Sequence, residues 1–547
     1  MVLGCLGPRK DKQVEEPENA EQGRVPNVVL SWPVKPASAL LGAEAVDNGS
    51  PVGDDKHGLG LVESTRGAEA ARAEAAAAQD IDMATEKRVV RKFDRHVVSL
   101  FFVLYLFAFL DRSNIGNAYV AGMQQDLHLT SASFQWLLTI FYIPYILFEW
   151  CALMWMIVPP HIWACAMVFI WGLASTLQAA ATNWEGMMAC RFFLGMAEAG
   201  FGPGVPFMLS FFYRRNELGF RSGLFLSAAP LATSFSGALA YGITSAKNTA
   251  IAPWRMLFLI EGLPNMALAV AVFYFLPDTP DTARFMTADE VAVAKARSIL
   301  QSGKEGKARL GSVQGKEIWE ALRLPQTWIF PFMYFSCNVS FASLPAFLPT
   351  IIKEMGYSSI EAQGLTAPPY LLAFFVCLAS TWLADRWQQR GLIITALSLV
   401  GGLGFVLLAA AKGVGARYTG VFLACAGAFP AIANILSWVV NNQGTDTKRG
   451  VAIAMLNTIG QCGPLLGTNM FPAAEKPYYV KGMAVCAAFM FLNAVLAVTL
   501  RTLFVAKIRR LERREQESVA ATTAGAHVAQ AKRMVEMEGT FGYRYIL

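Results

Sequence analysis

The stretch LFAFLDRSNIGNA, from Leu106 to Ala118, decides how the rest of the chain is read. Apolar residues dominate from Val97 to Leu110, and then Asp111 and Arg112 stand side by side, followed by Ser113, Asn114 and Asn117. The apolar pattern resumes in IGNAYVAGM and carries the segment to about Gly122. A run of this kind approaches the roughly 20 residues that cross a bilayer. An ionised side chain in hydrocarbon costs about 3 kcal/mol by insertion scales, so a charge pair inside a span marks a functional candidate. The pair lies about 14 residues into the span, about 21 Å from its start at roughly 1.5 Å per residue. Adjacent helical side chains point about 100° apart, so each of the two must find a partner elsewhere. A competing reading ends a short helix at this pair, in the headgroups; the resumed apolar pattern argues against it.

Composition supports a polytopic membrane protein. Of the 547 residues, 54% are hydrophobic and only 16% charged, against about a quarter charged in soluble proteins. The net charge of +6 does not point to nucleic acid, because the basic residues sit in short loops between apolar segments. Nine cysteines (Cys5, Cys151, Cys165, Cys190, Cys337, Cys377, Cys425, Cys462 and Cys486) include no Cys-x-x-Cys pair. They read as small buried side chains, with neither a disulfide framework nor a metal site. Met1 to Ser31 lacks the apolar core of a signal peptide, so the first span is expected to act as an uncleaved signal.

Residues 1–84, rich in Ala, Gly, Pro and charge, read as a disordered cytoplasmic tail, with a transient helix over Ala68–Asp80. Twelve apolar segments follow in two groups of six. The first six begin near Val97, Phe134, Ile162, Trp184, Phe220 and Trp254, within residues 85–277. A polar cytoplasmic linker spans 278–325, and the second six begin near Thr327, Pro368, Leu392, Tyr418, Gly450 and Tyr479, within 326–506. A charged tail occupies 507–547. Lys and Arg crowd the loops before span one and after spans four, eight, ten and twelve, which puts both termini in the cytoplasm. FRSGLFLSAAPL (Phe220–Leu231) and KRGVAIAMLNTI (Lys448–Ile459) open the fifth span of each half in the same way, a basic residue before a Gly. The expected fold is therefore an all-α membrane protein of 12 transmembrane helices in two six-helix bundles, with a central cavity between the halves, the architecture of major facilitator transporters.

Few other ionisable residues lie within spans. RFFLGMAEAGFGPG (Arg191–Gly204) spaces Arg191, Gly195, Glu198 and Gly202 by four, three and four, on one helix face. Gly on that face admits a neighbouring helix or a ligand; an Arg–Glu network locking spans one and four is the structural alternative. Glu149 closes span two and Glu261 lies inside span six; a gate or packing salt bridge with basic loop residues is the expected role for each.

Together FLDRSNIGNA, IFYIPYILFE, RFFLGMAEAGFGPG, WRMLFLIEGL, FLPDTPDTARFMTADE and LADRWQQRG resemble the fungal allantoate permease group. That group belongs to the anion:cation symporter family of the major facilitator superfamily and carries allantoate, nicotinate, pantothenate and related carboxylates. The resemblance covers about Phe93 to Arg510. It implies that Arg112 binds the substrate carboxylate and that Asp111 and Glu198 are proton-coupling groups; Asn114, in the same polar stretch of span one, is a further substrate-binding candidate. The resemblance makes Asp385, Arg386 and Arg390 a gating loop of the second half; Arg191 and Glu149, read from their positions in the spans, are expected to be structural or gating residues. Spans one, four, seven and ten line the cavity in this superfamily, which adds Tyr334, Asn338, Asn434 and Trp438 as substrate-binding candidates, with packing roles as the alternative. Trp438 would stack on a heteroaromatic ring.

Two departures stand out. The family's Glu-x-Pro-Ser-Asn after span two is replaced by EWCALMWMIVPPHIW, with His161 in the loop, so the first half's inner gate is not carried over by motif. The antiporter signature Gly-Pro-x-x-Gly-Gly is absent from SAAPLATSFSG (Ser227–Gly237) in span five, which favours symport. The resulting expectation is a secondary transporter: proton-coupled import of a small organic anion through the plasma membrane. It needs no cofactor beyond the proton gradient and has the lipid bilayer, the anion and protons as partners; it binds no nucleic acid and works as a monomer. Export of an endogenous metabolite and a non-transporting nutrient sensor are the rival readings. No metal cluster, nucleophile motif or phosphate-cradling Gly loop speaks for an enzyme.

Overall fold

Continuous apolar runs in a bilayer must satisfy their own backbone groups, and helices do so within one segment. The computed structural model describes residues 83–246, 250–302, 315–443 and 446–523, and every regular element among the described residues is helical. The first half comprises α1 (Met83–Asp126), α2 (Ser131–Leu147), α3 (Pro160–Gln178), α4 (Trp184–Phe212), α5 (Arg215–Ser245) and α6 (Pro253–Phe275). Two short helices, α7 (Ala288–Ser302) and α8 (Gly315–Arg323), lie in the connector. The second half comprises α9 (Pro325–Lys353), α10 (Ser359–Trp387), α11 (Arg390–Ala410), α12 (Val414–Asn441), α13 (Lys448–Gly467) and α14 (Val480–Thr523). Eleven of these are long and apolar enough to span a membrane, and the shorter α2 makes the twelfth.

The helix starts follow local chemistry. Thr130 and Asn183 cap α2 and α4 through their side chains, and Ser358 with Glu361 forms a capping box on α10. Pro160, Pro253 and Pro325 occupy first helical positions, where no N–H is needed. Near its far end α1 bends at Gly122, whose φ of +113° suits a residue without Cβ.

The expected start of span eight at Pro368 is nine residues late, because α10 begins at Ser359. Two consecutive prolines read as a boundary, since each removes a helical hydrogen bond. Here the carbonyl of Leu365, which Pro369 cannot serve, accepts the Tyr418 hydroxyl of α12 at 2.9 Å. A neighbouring helix thus repairs the defect. Similarly, α14 runs on without a break past Lys507. The expected disordered tail lies outside the described residues except for positions 83–84, which begin α1; the Ala68–Asp80 helix also lies outside them.

One pairing scheme repeats in both halves. In the first, α2 packs on α4, α3 on α4 and α6, and α1 on α5 and α6. In the second, α10 packs on α12, α11 on α12 and α14, and α9 on α13 and α14. Renumbered by span, these five contacts are the same. Between the halves α5 packs along α10, while α1 meets α9. On the side that carries the connector, ion pairs tie the start of α1 to α5 and α7: Asp94 with Arg221 at 2.5 Å, Arg297 with Glu86 and Glu217 at 2.6 and 2.5 Å, and Lys92 with Glu290 at 2.6 Å. The Lys92 ammonium holds the Glu290 carboxyl below its usual range.

Candidate functional site

On the side away from the connector the halves close against each other. A Cβ at Gly116 would collide with the Pro345 and Ala346 carbonyls of α9. The Phe134 and Phe347 rings meet edge-on at 6.0 Å, and Thr139 of α2 reaches Thr468 and Asn469 at 3.4 and 3.2 Å. A cavity lies on the connector side of this seal. Tyr105 and Arg112 of α1, Tyr142 and Tyr145 of α2, and Gly202, Pro203 and Pro206 of α4 form one wall. Tyr334, Asn338 and Phe341 of α9, Ile432 and Leu436 of α12, and Asn457 and Gln461 of α13 form the other.

Arg112 dominates the first wall. Its Nη2 and Nε donate to Glu198 Oε2 at 2.5 and 3.2 Å. Phe141, Tyr145 and Phe109 surround the guanidinium, with ring centroids at 4.8, 5.1 and 5.4 Å. Such rings stabilise a cation by about 0.5–2 kcal/mol each. The other Glu198 oxygen, Oε1, is buried without a hydrogen-bond partner. Gly195, one turn earlier, lets α2 approach α4, since a Cβ there would strike the Phe141 carbonyl. Arg191 lines a narrower extension of the cavity with Arg112, Phe141, Phe341 and Thr468. It is 2% exposed, its Nε and Nη2 lack partners, and it faces both Asp111 and Glu198.

Asp111 turns the opposite way, as its position beside Arg112 requires. Ser175 of α3 and Asn265 of α6 each donate to it at 2.6 Å. It lies inside the first bundle, behind the cavity wall.

The structure brings together Arg112, Glu198, Arg191, Tyr334 and Asn338 at the cavity. It does not bring Asn114, Asn434 or Trp438 there. Asn114 sits about 200° round the helix from Arg112 and faces the bundle interior. Asn434 donates to Ser380 of α10 at 3.1 Å and to the Pro430 carbonyl. Trp438 is fully buried between Phe330 and Phe504, with ring centroids at 5.3 and 5.7 Å, so it is a packing residue with no free face for a ligand.

Asp385 and Arg390 pair at the connector end of α10 and α11, pressed on Gly219 of α5, where a Cβ would strike both. Arg386 points away from that pair, over the Trp382 ring. Glu149 makes no salt bridge, and both its carboxylate oxygens are buried without partners. The atypical segment after span two is short helical turns, and its Trp155 donates to the Gly200 carbonyl of α4 at 2.8 Å.

Sequence reading passed over Tyr105, Tyr142, Tyr145, Asn457 and Gln461. Tyr142 with Tyr145, and Asn457 with Gln461, stand three and four residues apart on otherwise apolar spans. That spacing is the signal that finds them.

The Major Facilitator Superfamily profile matches residues 101–468, across both bundles. The MFS transporter prlL of a fungal species is 34% identical over 445 residues, covering 78% of this chain and 88% of that protein. Major facilitator-type transporter hxnP of Emericella nidulans is 30% identical, covering 85% and 94%. The high-affinity nicotinic acid transporter of Saccharomyces cerevisiae is 28% identical, covering 84% and 85%. Among solved structures, a bacterial homolog of the human lysosomal transporter Spinster superposes with a TM-score of 0.55 at 13% identity, over 76% of this chain and 98% of that one, a likeness of fold. The repeated pairing of spans is thus the superfamily's architecture, and the cavity between the halves is where such proteins hold their cargo. The chain belongs to the major facilitator superfamily: it is a multi-pass membrane transporter and not an enzyme.

Proposed function

We propose that the chain imports a small organic anion, a carboxylate, together with protons. The Arg112–Glu198 pair in the cavity wall carries this reading. Sequence reasoning expected the substrate to supply an anion that Arg112 lacks; in this state Glu198 supplies it. The pair therefore sets up a competition. A proton on Glu198 removes its claim on the guanidinium, and a substrate carboxylate takes the planar fork in its place. One proton and one anion leave the buried charge unchanged.

Either alone does not. An anion without a proton puts two carboxylates on one guanidinium. A proton without an anion strands Arg112, and breaking a buried pair by removing one partner costs about 3–5 kcal/mol. Each imbalance penalises the rocking of the halves, and that penalty is the coupling. The basic connector side is cytoplasmic in this reading, the far side faces outward, and the membrane is the plasma membrane. The yeast relative named for nicotinic acid makes nicotinate the first probe.

The test is uptake of labelled nicotinate and a panel of small carboxylates into right-side-out vesicles. Accumulation that grows as the outside is acidified, and collapses with a protonophore, is expected. A carboxylate driven outward by that gradient, or accumulated without regard to it, overturns the reading.

A further inference from the structure

A third carboxyl lies behind the cavity wall, outside the mechanism above. Glu261 of α6 is 1% exposed, and neither of its carboxylate oxygens has a hydrogen-bond partner. No salt bridge to a basic loop residue forms among the described residues. Asp111 and Asn114 of α1, Ser236 of α5 and Arg191 of α4 face it. Asn114 and Ser236 lie beside it but outside hydrogen-bond geometry. From α3, Ser175 is committed to Asp111, and Thr176 packs on Gly262. On α6 itself, Asn265 donates to Asp111 and to the Glu261 carbonyl.

The Glu261 carboxylate is unmet: both its oxygens are buried acceptors without donors, while the unpaired donors nearby, Asn114 Nδ2 and Arg191 Nε and Nη2, do not reach it. Buried acceptors left unmet cost about 1–3 kcal/mol each, and more when charged. The charges are also out of balance, with Asp111, Glu198 and Glu261 set against Arg112 and Arg191. One proton on Glu261 neutralises its unmet carboxylate and brings the charges level.

A polar line reaches this cluster from the far side. Asn117 donates to Ser236 at 3.1 Å, Gln363 of α10 to the Asn117 carbonyl at 3.3 Å, and Thr244 to Gln363 at 2.8 Å. Thr244 is half-exposed near the far end of α5. The line does not pass through the substrate cavity, whose walls include none of these residues.

We infer that Glu261 is a proton-carrying residue, paired with Asp111 in a buried polar cluster set apart from the substrate cavity, and loaded by water that enters from the far side where these polar groups interrupt the apolar packing. The inference rests on the proton-coupled reading above and deepens it. In the loading step an O–H bond forms on a Glu261 oxygen as one breaks in a far-side hydronium ion. Release reverses this to water. Arg191, which faces Asp111, Glu261 and Glu198, joins the cluster electrostatically to the substrate pair.

The probe is the proton itself. Infrared difference spectra of the reconstituted full chain, between acid and neutral buffer and without substrate, should show a protonated-carboxyl band. Glu261→Gln should remove it, and Glu261→Asp should restore a shifted one. In vesicles, a one-unit pH gradient is worth about tenfold accumulation per coupled proton, and Glu261→Gln should lose about that factor for nicotinate. Spectra identical in wild type and Glu261→Gln overturn the inference, whatever the transport result. So does a sodium-induced difference at constant pH that vanishes in Glu261→Gln, which would make the cluster a metal-cation site. Wild-type nicotinate accumulation without pH dependence counts against the symport reading alone, because the infrared band still decides Glu261.

Discussion

In the first bundle Asp111, Arg112, Arg191, Glu198 and Glu261 all lie inside spans, and all but Arg112 are at most 3% exposed. In the second bundle, among the described residues, no Asp, Glu, Lys, Arg or His lies inside the apolar stretch of any span; those present sit at helix ends or, in α14, from Arg501 onward, past its apolar part. Yet the two bundles share one scheme of helix pairing. A symmetric scaffold thus carries an asymmetric chemistry: one cavity wall is charged, the other offers Tyr334, Asn338, Asn457 and Gln461. Charge inside a membrane protein is costly wherever it sits. Gathering it in one half lets its members neutralise one another, and leaves the other half free to move against it without dragging an ion through hydrocarbon.

The sharpest way to break this contrast is Arg112→Lys. Lysine keeps the charge and loses the planar fork. A hydrogen bond to a charged group contributes about 1.5–3 kcal/mol, so KM for the transported carboxylate should rise about 10- to 100-fold. Uptake kinetics with an unchanged KM would mean that the charged wall does not recognise the anion. Glu198→Gln is next. It resembles the protonated acid, so Arg112 loses its resident partner permanently. Accumulation under an acid-outside gradient of one pH unit should fall about tenfold, the share of the Glu198 proton, while exchange at equal pH on both sides persists. Undiminished accumulation would place that proton elsewhere.

How far the sequence reveals these walls depends on what fixes each feature. Spans are legible because a bilayer demands long apolar runs, and the doubled pattern of six follows from them. Asp111 and Arg112 announce themselves as charges among apolar neighbours, and their opposite directions follow from helix geometry alone. The rotation of a helix about its own axis is another matter. Spacing puts Asn434 and Trp438 on one face of α12, as it puts Tyr334 and Asn338 on one face of α9. Only the second face meets the cavity. The apolar window of α12 is 94% buried, so every face is covered and hydropathy cannot say which one looks inward. Ile432 and Leu436 hold the cavity positions instead.

The neutral wall should respond more mildly than the charged one. Asn338 donates to the Gly460 carbonyl of α13 at 3.1 Å and lines the cavity beside Tyr334. Asn338→Ala removes neutral hydrogen bonds of about 0.5–1.5 kcal/mol, so KM should rise about 2- to 10-fold with the pH profile of uptake unmoved. A shifted pH profile would blur the division of labour, because it would make the second bundle a party to proton coupling.

Trp438→Phe is the mildest test of the contrast for transport. The indole packs edge-on against Phe330 and Phe504 and close to Gly391, away from the cavity. Phenylalanine keeps an aromatic contact and leaves a small void, so the stability loss should stay below the roughly 3–5 kcal/mol of a full truncation to Ala. The thermal midpoint of the purified protein should drop by a few degrees, while KM for nicotinate and for an aliphatic carboxylate stays the same. The pair of substrates makes the experiment discriminating. If the ring stacked on a heteroaromatic guest, nicotinate alone would weaken; if it only fills the space between α9, α11 and α14, both substrates are indifferent and the melting curve carries the whole effect.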